Sequence, residues 1–361
     1  MEKEAEELLN KRIEAVRGRL AEAGYDAFLV TKEENKSYLS RFHSSSYQLV
    51  ITPDRNYILT DFRYREAAQS LAPVYQLVEV KAGYPLNLFL KEQGFARLAV
   101  ELEDISAAFF NRLDSALTGT ELLSFDGEVE KIRSVKDQTE IDATREAEHI
   151  GDKAFEYILG EIKPGVSEKE IALKLELKMR ELGASGLSFD TICVSGVRTS
   201  MPHGEPSDKL IEDGDFVTMD FGCKYRGYCS DMTRTVAVGH VSDKQKLVYD
   251  TVLKAQLAAF EVMKAGASGR EVDRAARDVI YGAGFEGCFG HANGHGTGLE
   301  IHEAPVASPV SSDILEAGNI MSNEPGIYIP GEFGVRIEDL SVITEDGIIN
   351  LTESDKRLMI L

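Results

Sequence analysis

The chain has 361 residues, 43% of them hydrophobic and 28% charged, and its 61 acidic side chains outweigh 40 basic ones to leave a formal charge of -21. Such a charge repels nucleic-acid phosphates and anionic membrane surfaces, so neither is an expected partner. The length exceeds that of a usual single domain, which predicts two, and the apolar content is enough for substantial cores.

The N-terminal MEKEAEELLNKR is charged where a signal peptide needs an apolar core, and no run approaches the roughly 18 apolar residues of a spanning helix. A cytoplasmic protein is expected. A periodic helix over residues 4–23 leads into strand patterns at 27–30 (AFLV), 47–52 (YQLVIT) and 56–60 (NYILT). A helix over 64–71 and a strand at 74–80 follow, and LAVEL (98–102) and ELLSF (121–125) come after further helical stretches. This alternation predicts an N-terminal α/β domain over residues 1–130. The polar stretch from Ser134 to Thr139 precedes a long amphipathic helix reaching about Ile162, which opens a second domain over 131–361. The cysteines, Cys193, Cys223, Cys229 and Cys288, form no CxxC pair and are expected to pack as reduced thiols.

The second domain contains an internal echo. Lys163, Gly165, Ser167, Glu170 and Gly183 recur as Lys264, Gly266, Ser268, Glu271 and Gly284, each 101 positions on. In both copies the Ser is placed to cap a helix that the Gly closes. The domain therefore reads as two related α+β halves, with a cleft expected at their pseudo-twofold axis.

Each half offers one hairpin with a pair of acids. In FVTMDFGCKYRGYCSDMTRTV, Asp220 and Asp231 are symmetric about Tyr225 and Arg226; in NEPGIYIPGEFGVRIEDLSVI, Glu324 and Glu338 are symmetric about Gly331. Folding at those turns sets like carboxylates opposite one another, which is destabilising unless something positive sits between them. Four carboxylates balance two divalent cations, and oxygen donors with one imidazole suit Mn, Co, Fe or Zn better than copper. Three of the seven histidines, His291, His295 and His302, fall within the glycine-rich GHANGHGTGLEIHE and are candidates for that imidazole and for acid–base work. His203, in SMPHGEP, is a further candidate whose signal is weak by itself.

These residues resemble the pita-bread metallopeptidases, the family of aminopeptidase P, prolidase and methionine aminopeptidase. The resemblance rests on SGVRTSMPHG, the TMDFG and SDMTRT pair, GHGTGLEIHEAP, NEPGIYIP and GVRIED in the family's order, and covers nearly the whole chain. It implies a creatinase-like α/β N-terminal domain, which methionine aminopeptidases lack, followed by a pita-bread catalytic domain with pseudo-twofold duplication. It further implies that Asp220 binds one metal through both oxygens, that Asp231 and Glu338 bridge two metals, and that His295 and Glu324 complete the other. All five positions are intact, which argues against creatinase, which works without metal.

The activity so implied is Xaa-Pro aminopeptidase action on peptides with proline second, with two divalent ions, Mn foremost, in a homodimer. Xaa-Pro dipeptidase (prolidase) activity is the alternative, and a non-catalytic peptide-binding module the distant one. By the same resemblance Glu324 shuttles the proton to the leaving nitrogen, His291 and His302 stabilise the tetrahedral intermediate or contact the proline end, and His203 lines the substrate pocket. Arg336, two residues before Glu338, is a candidate for orienting that carboxylate and for lining the substrate site. The chain departs from the family at the serines around Ser44, at Asn293 in HAN and at Asn323 in MSN. Those departures bear on pocket shape rather than on ligands.

Overall fold

The structure, a computed structural model, describes residues 2–44 and 46–361, so Ser45 in the serine-rich departure lies outside the described residues. The chain divides into two compact units, Met1–Arg133 and Ser134–Leu361.

In the first unit strands β1 (Ala27–Val30), β2 (Tyr47–Ile51), β3 (Asn56–Thr60), β4 (Gln76–Glu79), β5 (Arg97–Val100) and β6 (Glu121–Ser124) form one sheet of order β4-β3-β2-β1-β5-β6. Strands β1, β2 and β3 pair antiparallel and the outer strands join in parallel. The AFLV run of β1 is buried at every position, as a strand covered on both faces requires. Helices α1 (Glu2–Ala23), α2 (Glu33–Ser40), α3 (Arg65–Leu71), α4 (Leu86–Gln93), α5 (Ala107–Ala116) and α6 (Glu128–Ser134) complete the unit. Helix α2 has no counterpart in the sequence reading. EENKSYLS is mostly polar, yet residues 35–40 are buried, Tyr38 and Leu39 as core side chains and Asn35 through partners: its Nδ2 donates to Glu101 at 2.6 Å and Glu130 at 2.9 Å. A polar segment satisfied in this way carries no apolar periodicity to read.

The second unit has four long helices, α7 (Gln138–Ile158), α8 (Glu168–Glu181), α9 (Asp243–Phe260) and α10 (Gly269–Gly282). Each begins with a reciprocal capping box, at Asp137/Glu140, Ser167/Glu170, Ser242/Gln245 and Ser268/Glu271. Helix α7 ends at Ile158, four residues short of the expected Ile162.

One half contributes β7 (Gly186–Leu187), β8 (Ile192–Ser195), β9 (Phe216–Phe221), β10 (Cys223–Tyr225), β11 (Tyr228–Cys229) and β12 (Met232–Ala237). The other contributes β13 (Gly294–Gly296), β14 (Glu303–Ala307), β15 (Ile320–Asn323), β16 (Gly326–Ile329), β17 (Phe333–Arg336), β18 (Asp339–Ile343) and β19 (Ile348–Asn350). The principal sheets run β12-β9-β8 and β14-β13-β15-β18-β19. Each half has its own core. Ile150, Phe155, Leu175 and Met179 pack on Met219, Phe221 and Val236 in one, and Val248, Val252, Val272 and Ile280 on Phe289, Met321 and Val335 in the other.

The halves meet where β12 touches the Glu338 backbone through a Thr233–Glu338 bridge. Beside it lies Arg234, 1% exposed, whose guanidinium donates to Glu338 O at 2.6 Å, Thr233 O at 3.0 Å, Ser354 O at 2.7 Å and Asp339 Oδ1 at 2.7 Å. Asp339 is buried too, and Asn350 and Lys356 occupy its other oxygen. Removing Arg234 leaves Lys356 on Asp339 but takes the donor from buried Asp339 Oδ1 and from the carbonyls of Thr233, Glu338 and Ser354 at once. Arg234→Ala is therefore expected to destabilise the protein by about 3–5 kcal/mol in chemical denaturation, with Arg234→Lys intermediate; a cost under about 1 kcal/mol would contradict the pairing.

Candidate metal centre

The first acid hairpin turns at Arg226 and Gly227, both at positive φ, 50° and 88°. Arg-Gly thus occupies the central positions of a tight turn whose second residue favours glycine. Tyr225 pairs with Tyr228, and the same register runs on to Asp220 opposite Thr233. The sequence expectation of Asp220 directly opposite Asp231 is therefore corrected by two residues, because the turn sits one position later than the centre of symmetry of the acids. A two-residue shift leaves side chains on the same face, so the acids still converge, on a diagonal. In the second hairpin Asn323 pairs with Asp339 and Gly326 with Arg336, which sets Glu324 opposite Glu338 as expected.

All four acids and His295 line one cavity of about 1020 Å³ in the second unit. Donor atoms of Asp231, His295 and Glu338 lie within 4.8 Å of one another. His295 Nε2 is 3.4 Å from Asp231 Oδ2 and 3.5 Å from Glu324 Oε1. Its Nδ1 lies 3.0 Å from Gly296 O and must be the protonated nitrogen, which leaves the Nε2 lone pair facing the carboxylates. Burial lowers the His295 pKa to about 4, so the ring is neutral, as a ligand must be.

The carboxylates are strained by proximity. Burial, then Glu338, Asp220 and Glu324, push Asp231 well above the ordinary carboxylate range. Burial with Glu324 and Asp220 does the same to Glu338, and burial raises Glu324 to about 8. Asp220 Oδ1 is buried with no hydrogen-bond partner. Carboxylates crowded out of water, an unpartnered oxygen and a neutral imidazole nitrogen aimed among them fit a divalent cation and little else.

Arg336 is 3% exposed, and its Nη2 donates to Asp220 Oδ2 at 2.6 Å rather than to Glu338. It reaches Glu338 only through Thr233, whose hydroxyl accepts from Arg336 Nε at 3.0 Å and donates to Glu338 Oε2 at 2.6 Å. Its Nη1 donates to Tyr328 Oη at 2.8 Å and Pro202 O at 3.2 Å.

Burial lowers His291 to about 4, so this ring is neutral as well. Its Nδ1 donates to Ala292 O at 2.7 Å, and its Nε2 accepts from Tyr328 Oη at 2.8 Å. Both ring nitrogens are thus engaged within the protein. His302 is exposed and stacks edge-on to His295 with ring centroids 4.4 Å apart; His203 is exposed on the cavity wall.

Several supporting residues escaped sequence reasoning. Glu148, on the buried face of α7, accepts from Asp231 N at 2.7 Å and Thr352 Oγ1 at 3.1 Å, and burial raises it to about 8. An acid in phase with the apolar residues of α7 was the available signal. Asn293 and Asn323, noted separately as departures, are one feature. Asn293 Nδ2 donates to Asn323 Oδ1 at 3.0 Å, both side chains fully buried, and Asn293 O accepts from Glu324 N at 2.8 Å.

Metallopeptidase family M24 matches residues 142–345, and the creatinase/prolidase N-terminal domain matches residues 12–135. A solved Xaa-Pro dipeptidase from Bacillus anthracis superposes with a TM-score of 0.95 at 44% identity, over 98% of this chain and 100% of its own. An X-Pro aminopeptidase from Thermotoga maritima gives 0.89 at 38% identity, over 94% and 98%. The Xaa-Pro dipeptidase of Pyrococcus horikoshii is 35% identical over 98% of this chain and all of its own length. Matches of this extent over both units, with the acid and histidine cluster in place, make the chain a member of metallopeptidase family M24 with a creatinase/prolidase-type N-terminal domain.

Proposed function

We propose that this metallopeptidase hydrolyses the Xaa-Pro bond at the N-terminus of peptides, as an Xaa-Pro aminopeptidase, with two divalent ions, Mn foremost and Co, Zn or Fe as alternatives. The observation that carries the reading is the convergence of Asp220, Asp231, His295, Glu324 and Glu338 in one cavity. These five residues would hold the ions, with Asp231 and Glu338 shared between them. When bound, the ions supply Lewis acidity and bring the pKa of water toward neutrality.

The remaining work belongs to the chain. Arg336 fixes Asp220 and, through Thr233, Glu338, so that the two hairpins present their carboxylates together. Glu324 lies between His295 and His291, its oxygens 3.5 Å and 3.8 Å from their nitrogens, placed to take the proton that the attacking water gives up and pass it to the proline nitrogen, which is a poor leaving group unprotonated. His203 and His302 flank the entering peptide, with His291 behind them. Proline's ring removes the N–H and fixes φ, so a ring-shaped site need supply no acceptor there.

The cavity wall favours longer peptides over dipeptides. Beyond the five proposed ligands it carries Glu176, Asp190 and Glu205, and among the described lining residues its one guanidinium, Arg336, is already bonded to Asp220. Such a wall attracts a peptide's ammonium group, and it offers a dipeptide's free carboxylate no unengaged guanidinium, only imidazoles such as those of His203 and His302. Dipeptidase action is the second reading, favoured by the activity named for the Bacillus anthracis and Pyrococcus horikoshii relatives.

Metal-loaded protein offered Ala-Pro-Ala and Ala-Pro should release alanine from the tripeptide with a kcat/KM at least about tenfold higher. Preference for the dipeptide would establish the second reading, and release from neither, under several metals, would sink both. No helix among the described residues is long and apolar enough to cross a membrane; a cytoplasmic homodimer is the proposed setting.

A further inference from the structure

We infer that Glu168 is a positioning residue for substrate, acting through the segment that carries His203; the inference rests on the peptidase reading above. Glu168 is the first residue of α8 and is fully buried. Its Oε1 accepts from Ser195 N at 2.6 Å and Ser195 Oγ at 3.0 Å. Its Oε2 accepts from Arg198 Nε at 3.0 Å, Ser207 N at 3.0 Å and Ser207 Oγ at 2.6 Å. One carboxylate therefore grips both ends of residues 195–207, the segment that brings Pro202, His203 and Glu205 to the cavity wall.

The internal duplication shows why a side chain is needed there. The position 101 residues on is Gly269, the first residue of α10. A Cβ at Gly269 would meet Val306 O at 2.1 Å, because strand β14 lies against the start of that helix. In the first half β8 is the sheet edge, with no strand beyond it among the described residues. The chain instead leaves β8 as a short 3-10 turn (Gly196–Ser200) and a loop. Glu168 occupies the place of the missing strand: it takes the edge N–H of Ser195 and closes the loop on itself. On the far side Arg336 holds Pro202 O, and Gly334 N donates to Thr199 Oγ1 at 2.8 Å. The segment is thus pinned between α8 and the metal-side arginine, and His203 inherits its position from both.

A carboxylate can accept from all five donors, whereas glutamine turns an NH2 toward one set of them. Glu168→Gln is expected to keep wild-type metal content and a kcat within about threefold while raising KM for Ala-Pro-Ala about tenfold or more. Hydrogen exchange should accelerate in residues 195–207 and not in β9 or β12. Should this variant fail to fold, Arg198→Ala and Ser207→Ala remove donors from the loop side and carry the same expectations at smaller amplitude. A KM within about twofold of wild type, unchanged exchange in 195–207, or loss of metal and kcat at constant KM would each overturn the assignment. The exchange measurement needs no turnover, so it decides whether Glu168 holds residues 195–207 in place even if the wild-type protein releases no alanine, which separates failure of that tether from failure of the peptidase reading.

Discussion

Asp231→Ala and Glu338→Ala are each expected to lower kcat/KM for Ala-Pro-Ala by at least about 10³-fold, equivalent to about 4 kcal/mol of transition-state stabilisation. His203→Ala should cost about 10- to 100-fold, chiefly in KM. The difference follows from position. Asp231 and Glu338 are 4% and 2% exposed, with donor atoms within 4.8 Å of one another and of His295, whereas His203 is exposed on the wall. Loss of either acid removes a donor proposed to serve both ions; loss of His203 removes one side chain from the peptide's path.

A fold defect would not mimic this pattern. In the metal-free state burial and the neighbouring acids make Asp231 costly to ionise, so Asp231→Ala should leave metal-free protein at least as thermostable as wild type while emptying the site. Steady-state kinetics with metal content by elemental analysis decides the matter. Losses of similar size in all three variants, or full metal occupancy in Asp231→Ala, would mean that the shared roles are wrongly assigned.

How much of this was legible in the sequence differs by level. Regular elements with apolar periodicity were read to within a few residues, as with β1 and β3, whose bounds coincide with AFLV and NYILT. Helix α2 was invisible because Tyr38 and Leu39 are its only apolar side chains, too few to mark a stripe, and the buried Asn35 is satisfied by distant partners. The symmetry of the acid pairs points to their convergence, and the two-residue difference in register in the first hairpin leaves that convergence intact because it does not change the face. Had the slip been one residue, Asp231 would have pointed away from Asp220.

The contacts that orient the cluster were not legible at all. Arg336 lies two residues from Glu338 in sequence yet holds Asp220, more than a hundred positions away, and Tyr328 links it to His291. Sequence proximity pointed to Glu338, which Arg336 reaches only through Thr233; its direct carboxylate partner, Asp220, comes from the other hairpin, brought alongside by the fold. The departures at Asn293 and Asn323 show the same limit: each looked like a local change, and only the fold makes them a buried pair.

Removing the metal should lower the melting temperature of the catalytic unit. Its four carboxylates are held in place by elements with other commitments: Asp220 by Arg336, Glu338 by Thr233, and Asp231 through its N–H by Glu148. They cannot swing apart when the cations leave, and burial together with mutual repulsion already drives Asp231 and Glu338 far from their ordinary ionisation. An ion present at 100 times its Kd stabilises the native state by about 2.7 kcal/mol, and a unit of this size shifts by about 2–4 °C per kcal/mol. Chelation should therefore cost about 5–10 °C. Two controls separate the cluster from the general acidity of a chain with a formal charge of -21. Buried charges are poorly screened, so the drop should persist in high salt, where surface repulsion fades, and Asp231→Ala should show little response to the chelator. An unchanged melting temperature with metal loss verified would rule out a cation among these carboxylates as a determinant of stability, and with it the charge argument on which the five-residue site was built.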